Sequence, residues 1–136
     1  MTVDLPESVR SFLREPNPAV MATVAKDGRP IAAATWYLLE DDDRVLVNFD
    51  VSRARLTHLR RDPRFALDVI DVADWYSHVA LQLEVVEFID DPELVDIDAL
   101  SIHYGGSPYA NRERGRVSAR GQIKSWLGWG RFAPQE

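Results

Sequence analysis

The chain has 136 residues, a formal charge of −6 and no cysteine. Its length suits one domain around one core, and its net negative charge argues against a general nucleic-acid or membrane-surface binder. Without thiols there are no disulfides, thiolate zinc sites or cysteine nucleophiles. No apolar run approaches the roughly eighteen residues of a membrane span. The first fourteen residues carry Asp4 and Glu7 and lack the apolar core of a signal peptide, so a cytoplasmic location is expected.

In chain order, residues 4–14 read as a short helix with Val9, Phe12 and Leu13 on one face, stopped by Pro16 and Pro18. Residues 19–25 are an apolar run of strand length. Asp27-Gly28 is a hairpin signal, because glycine accepts positive φ without steric cost. Residues 31–39 form the second strand, residues 40–43 an acidic turn and residues 44–49 a third strand. Ser52 then stands as an N-cap for a helix over residues 53–62, with Leu56 and Leu59 on one face and Pro63 past its end. Strands follow at residues 65–70 and 79–89. Pro92 opens a helix over residues 93–103, and residues 105–114 form a polar loop. The last strand spans residues 117–123, with an aromatic tail of Trp126, Trp129 and Phe132. The order α-βββ-α-ββ-α-β predicts a mainly β protein, a barrel of about six mostly antiparallel strands with short helices between them.

The familiar catalytic signatures are missing. There is no glycine-rich dinucleotide fingerprint, P-loop or nucleophile elbow. His58, His78 and His103 lack the spacing of a metal site, so no metal is expected. Most acids lie in turns, such as residues 41–43 and 90–91. Chemistry therefore points to an imported cofactor or to a binding role. No catalytic side chain is assigned.

Two features carry the functional signal. The first is the run Val47-Asn48-Phe49-Asp50-Val51-Ser52-Arg53-Ala54-Arg55, which leads from a strand into a helix N-terminus. Five arginines (53, 55, 60, 61 and 64) face one acid, Asp62, in twelve residues of an acidic protein. Free backbone N–H groups, the helix dipole and guanidinium forks together suit a phosphate. A capped helix with a solvated basic face explains the same pattern, and both readings stand at this point. The second is aromatic placement, with Trp36-Tyr37, Trp75-Tyr76, Trp126 and Trp129 as candidate flat walls for a planar ring or as core residues.

In order, the chain carries Asp27-Gly28-Arg29-Pro30, Thr35-Trp36-Tyr37, Ser52-Arg53-Ala54-Arg55-Leu56, His58-Leu59-Arg60-Arg61-Asp62-Pro63-Arg64, Trp75-Tyr76 with His78-Val79, Asp96-Ile97-Asp98 and His103-Tyr104. This ordered series resembles the pyridoxamine-phosphate-oxidase-like split-barrel superfamily, and within it the actinobacterial class F-420-dependent enzymes. The resemblance spans nearly the whole chain. It implies a six-stranded, Greek-key-like split barrel that forms a homodimer with two cofactor sites at the interface. It implies further that Ser52, Arg53 and Arg55 hold the cofactor phosphate with Arg60 nearby. Asn48, Phe49 and Asp50 would run along the ring edge, and Trp36, Trp75 and His78 would join the pocket.

The implied activity is hydride transfer from reduced coenzyme F-420, a deazaflavin, to a small unsaturated substrate. A proton would come from Tyr37, Tyr76, His78 or water. An FMN-dependent oxidase or reductase and a non-catalytic cofactor-binding protein are the alternatives. Departures from the family pattern fall at Ser77, at Leu83, where a glycine is expected, and at Arg120-Gly121.

Overall fold

The computed structural model describes residues 3–134. Helix α1 (Glu7–Leu13) follows Pro6 and turns Val9, Phe12 and Leu13 into the core. At its end the regular ladder runs out, and the Glu15 N–H reaches back to the Phe12 carbonyl at 3.1 Å. The Asn17 amide donates to the Phe12 carbonyl at 2.6 Å, and the Tyr37 hydroxyl donates to the Leu13 carbonyl at 2.8 Å. Strands β1 (Ala19–Val24) and β2 (Pro30–Thr35) form the hairpin, with Gly28 at φ +90° in its turn. The remaining elements are β3 (Leu38–Leu39), β4 (Val45–Asp50), α2 (Ala54–Arg61), β5 (Arg64–Ile70), β6 (His78–Asp90), α3 (Val95–Gly105), β7 (Arg116–Trp129) and a 3-10 turn, Gly130–Phe132.

All strand pairs are antiparallel, in one sheet of order β2-β1-β5-β6-β7-β4-β3. The predicted second strand is divided here. Its first part, β2, pairs with β1, and its second, β3, pairs with β4 at the opposite edge. Only Trp36 and Tyr37 separate the two parts, a span of about 11 Å at full extension. The sheet must therefore curl until its edges nearly meet, which makes it a split barrel. The break falls where Tyr37 turns fully inward and its hydroxyl is drawn to α1. If β2 and β3 count as one bent strand, the predicted six are all present.

Strand β4 is buried along its whole length because both of its faces are covered. Val45, Val47 and Phe49 face the barrel interior with Leu67, Leu81 and Val117. Leu46, Asn48 and Asp50 alternate to the outer face, where Leu46 packs beneath α3 against Leu94, Ile97 and Leu100.

Several predicted boundaries move. Helix α2 begins at Ala54 with Arg53 in the cap position, and Ser52 makes no capping bond. Ser52 is held instead by the Asp50 carboxylate, which accepts its N–H at 2.9 Å and its hydroxyl at 2.8 Å. Helix α3 starts at Val95, after Leu94 in the left-handed region at φ 62°, and Asp91 accepts the Asp96 and Ile97 N–H groups. Trp126 and Trp129 are not a tail but the end of β7, paired with β6 as far as His78 opposite Trp129. Leu83 is core, and Gly121 lies directly under Phe65, whose Cζ would stand 2.7 Å from a β-carbon there.

Candidate functional site

A cavity of about 720 Å³ opens where β1, β2 and the end of β4 meet α2 and α3. Its size lies within the roughly 300–1,000 Å³ of small-molecule sites. Its basic wall is Arg53 and Arg55. Arg53 is exposed at the start of α2, whose first turn contains no acid. Arg55 is half-buried, with its guanidinium 5.2 Å from the centre of the Phe49 ring and a contact of 3.8 Å to the Met21 sulfur. Among the described residues neither arginine pairs with a carboxylate. Burial, and after it the charge of Arg53, pull the Arg55 pKa below the ordinary arginine value. A cation in this state gains from any anion that enters the cavity.

The acid closest in sequence, Asp50, is already engaged. It holds Ser52 and forms an ion pair with Arg114 at 2.9 Å, and Arg114 also donates to the Ser52 hydroxyl at 2.8 Å. These contacts, led by the Ser52 N–H, keep the Asp50 carboxyl below the usual carboxylate range. Ser52 thus shapes the turn beside the cavity, and its hydroxyl is committed within the turn.

The opposite wall is aromatic. Trp36 stacks on Tyr104 with centroids 5.5 Å apart and planes within 12°, and Tyr109 meets Trp36 edge-on at 6.1 Å. Ile97 and Leu100 of α3 complete this wall. The Tyr104 hydroxyl donates to the Asn17 carbonyl at 2.7 Å, and burial pushes its pKa up to about 12.

The structure thus brings six of the ten sequence-derived candidates to one cavity: Trp36, Asn48, Phe49, Asp50, Arg53 and Arg55. Ser52 sits beside it. Three candidates lie away from it within the chain. The Arg60 guanidinium covers the Phe88 ring at 4.8 Å, Trp75 is 79% exposed, and His78 stacks on Trp129 at 4.5 Å. The candidate proton donors Tyr37, Tyr76 and His78 do not line the cavity either, and burial raises the Tyr37 pKa.

Sequence reading missed Arg116, Tyr109, Leu100 and a site role for Tyr104. No local pattern marks them, because the barrel brings the start of β7 and one face of α3 to β4 across more than forty residues of chain. No cluster of three His, Asp or Glu among the described residues could hold a metal. None of their helices is long and apolar enough to cross a membrane.

The sequence profile of pyridoxamine 5'-phosphate oxidase matches residues 5–130. The chain belongs to that family. An F420 reductase structure superposes with a TM-score of 0.80 at 25% identity, covering 90% of this chain and 98% of the reductase. Conserved hypothetical protein Rv2991 of Mycobacterium tuberculosis gives 0.71 at 22%, over 99% of this chain and 92% of that one. General Stress Protein 26 of Bacillus anthracis gives 0.68 at 14%, over 90% and 92%. The last two establish the fold alone. No curated protein matches the chain. As a pyridoxamine 5'-phosphate oxidase family member with an F420 reductase neighbour, it is a flavin- or deazaflavin-type oxidoreductase in outline.

Proposed function

We propose that this family member uses reduced coenzyme F-420 to deliver a hydride to a small unsaturated organic substrate. The observation that carries the reading is Arg55, a half-buried guanidinium on a small-molecule cavity with no carboxylate partner among the described residues. The F420 reductase likeness supports deazaflavin as the cofactor. When bound, the deazaflavin supplies the hydride. Arg53 and Arg55 would take its phosphate, the first by an exposed fork and the second by a half-buried one. Asp50 fixes the turn through Ser52 and Arg114. Asn48, Phe49 and Asp50 at the end of β4 would hold the ring portion of the cofactor, and Trp36 stacked on Tyr104 would give a flat wall that excludes water.

FMN is the second reading, favoured by the family profile itself. It would use the same phosphate turn. Titration of the purified protein with F-420 and with FMN, followed by tryptophan fluorescence, separates them. Tight binding of F-420 that weakens in Arg55→Ala supports the proposal. Binding of FMN alone moves the protein to the flavin branch, and binding of neither removes the cofactor reading. Hydride transfer to acceptors in a substrate screen then distinguishes an enzyme from a cofactor carrier.

The proposal includes a homodimer. The outer face of β2-β1-β5-β6-β7 is lined with Ala32, Ala34, Val20, Ala66, Ala80 and Leu127, small or apolar side chains that share a face by register. In their midst one Asp68 carboxylate oxygen is buried without a hydrogen bond among the described residues. Val20 and Ala34 belong to this face and also line the cavity, so a second copy seated here would wall the open side. Trp75 and His78 would reach a cofactor from the partner in this arrangement. A dimeric mass by light scattering, lost in Leu127→Asp, is the expected result. A monomeric wild type would rule this arrangement out.

A further inference from the structure

The cavity holds a second unpaired cation on its far side. Arg116 is half-buried and lies over the Tyr109 ring at 4.8 Å. Its Nε donates to the Asn48 Oδ1 at 2.7 Å. The Asn48 amide is itself fixed, donating to the Ser118 hydroxyl at 2.9 Å and the Asp91 carboxylate at 3.2 Å. Both terminal nitrogens of Arg116 remain without a partner among the described residues. Asp50, opposite Arg116 in the β4–β7 register, is engaged by Arg114.

A structural arginine on this strand looks different. Arg120 lies four residues along β7 on the same face and is saturated, by Glu40 at 2.8 Å and Asp96 at 3.4 Å. Arg116 has the opposite arrangement, with one nitrogen tethered and a free end-on fork. That geometry suits a carboxylate bidentately.

Arg116 and Arg55 do not converge on one anion. The Arg55 guanidinium sits over Phe49, which faces the barrel interior, whereas Arg116 shares the outer face with Asn48 and Asp50. The end of β4 separates them. Beside Arg116 the wall is an aromatic corner, with the planes of Trp36 and Tyr109 at 87°, so that a flat ring lying on Trp36 meets Tyr109 with its edge.

We propose that Arg116 is the substrate anchor, holding the carboxylate of a planar, conjugated acid against Trp36 and Tyr109, with Asn48 as its positioning residue. This rests on the cofactor reading only in assigning the other end of the cavity to the cofactor phosphate.

The test uses 2-naphthoate and its neutral analogue 2-naphthamide as probes. Binding to the full chain is measured by calorimetry, without cofactor and with whichever of F-420 or FMN binds. Wild type is expected to prefer naphthoate at least tenfold. Arg116→Gln should abolish the preference and leave cofactor affinity within twofold. Arg116→Lys keeps the charge without the fork and should retain part of the preference, which guards against a folding defect in the glutamine variant. Arg55→Ala should do the reverse, weakening the cofactor and keeping the naphthoate preference. Equal binding of the two probes to wild type would overturn the anchor. So would a loss of cofactor affinity in Arg116→Gln as large as in Arg55→Ala. A naphthoate preference that follows Arg116 in a protein binding neither cofactor would leave the anchor standing and the cofactor reading fallen.

Discussion

Replacement of Arg55 by methionine separates a functional arginine from a structural one. In the free protein the guanidinium carries a burial cost with no carboxylate among the described residues to offset it. What it gains is the Phe49 contact, worth about 0.5–2 kcal/mol for a cation over a ring, and a weak approach to the Met21 sulfur. A methionine of similar length keeps the packing against Phe49 and Met21 and removes the charge. The stability of the free protein in urea should therefore stay within about 1 kcal/mol of wild type. Binding should change far more, because a charge-assisted contact to a phosphate is worth about 1.5–3 kcal/mol, or about 10–150-fold in Kd. Thermal stabilisation by cofactor reports the same loss. At a concentration 100 times the wild-type Kd, wild type gains about 2.7 kcal/mol and a fiftyfold weaker variant about 0.6 kcal/mol. A variant that lost more than about 2 kcal/mol of stability and kept its cofactor affinity would refute the reasoning and make Arg55 a structural residue.

Four further outcomes are expected. Asp50→Asn should weaken cofactor binding without abolishing it, because the turn keeps its backbone while the Arg114 ion pair and the Ser52 contacts weaken; fluorescence titration reads this. Gly121→Ala should destabilise the fold by about 1–3 kcal/mol as an overpacking substitution, since Phe65 must move in a filled barrel; urea denaturation measures it. Tyr104→Phe should cost about 1–3 kcal/mol, because the hydroxyl donates to the Asn17 carbonyl and accepts the Tyr37 N–H, and should leave the Trp36 stack in place by near-ultraviolet circular dichroism. Asp62 has a folded pKa lowered to about 2, first by its bond to the Arg64 side chain, then by the Arg64 N–H. A depressed carboxylate contributes fully above its unfolded pKa of about 3.9 and loses that contribution as pH falls through the folded value. The difference in melting temperature between wild type and Asp62→Asn should thus be constant above about pH 5 and shrink toward pH 2.

Much of the fold was legible because local signals agreed. Asp27-Gly28 marks a hairpin that is present, and Leu56 and Leu59 mark the buried face of a helix that is present. The failures have nonlocal causes. Residues 31–39 are one nearly continuous apolar run with no Gly, Pro, Asn or Asp to break it, and nothing in them records that Tyr37 is drawn to α1 and splits the pairing. Ser52 has the chemistry of a cap, but its hydroxyl is drawn away from the helix N–H groups, donating to the Asp50 carboxylate and accepting from Arg114. In the site, the contiguous run from Asn48 to Arg55 was visible because strand, turn and helix follow one another directly. Arg116 was not, since its neighbour Asn48 is a β-ladder contact across 68 residues.

The distribution of ion pairs argues that the cavity is a binding site and not a packing gap. Five arginines are half-buried among the described residues: Arg10, Arg44, Arg55, Arg116 and Arg120. Three of them meet carboxylates, Arg10 with Asp43, Arg44 with Asp42, and Arg120 with Glu40. Partners are not scarce, because acids outnumber bases 22 to 16 in this chain. Arg14, Arg53, Arg60 and Arg61 also lack carboxylates among the described residues, but they are exposed, where water solvates a guanidinium at little cost. Only Arg55 and Arg116 combine partial burial with no acid, and both line the same cavity. A fold that neutralises its other sheltered arginines and leaves these two bare is holding its electrostatic complement for a ligand with two anionic ends or for two anionic ligands. The β4 strand between the two cations favours two ligands, a phosphate-bearing cofactor at Arg55 and a carboxylate at Arg116.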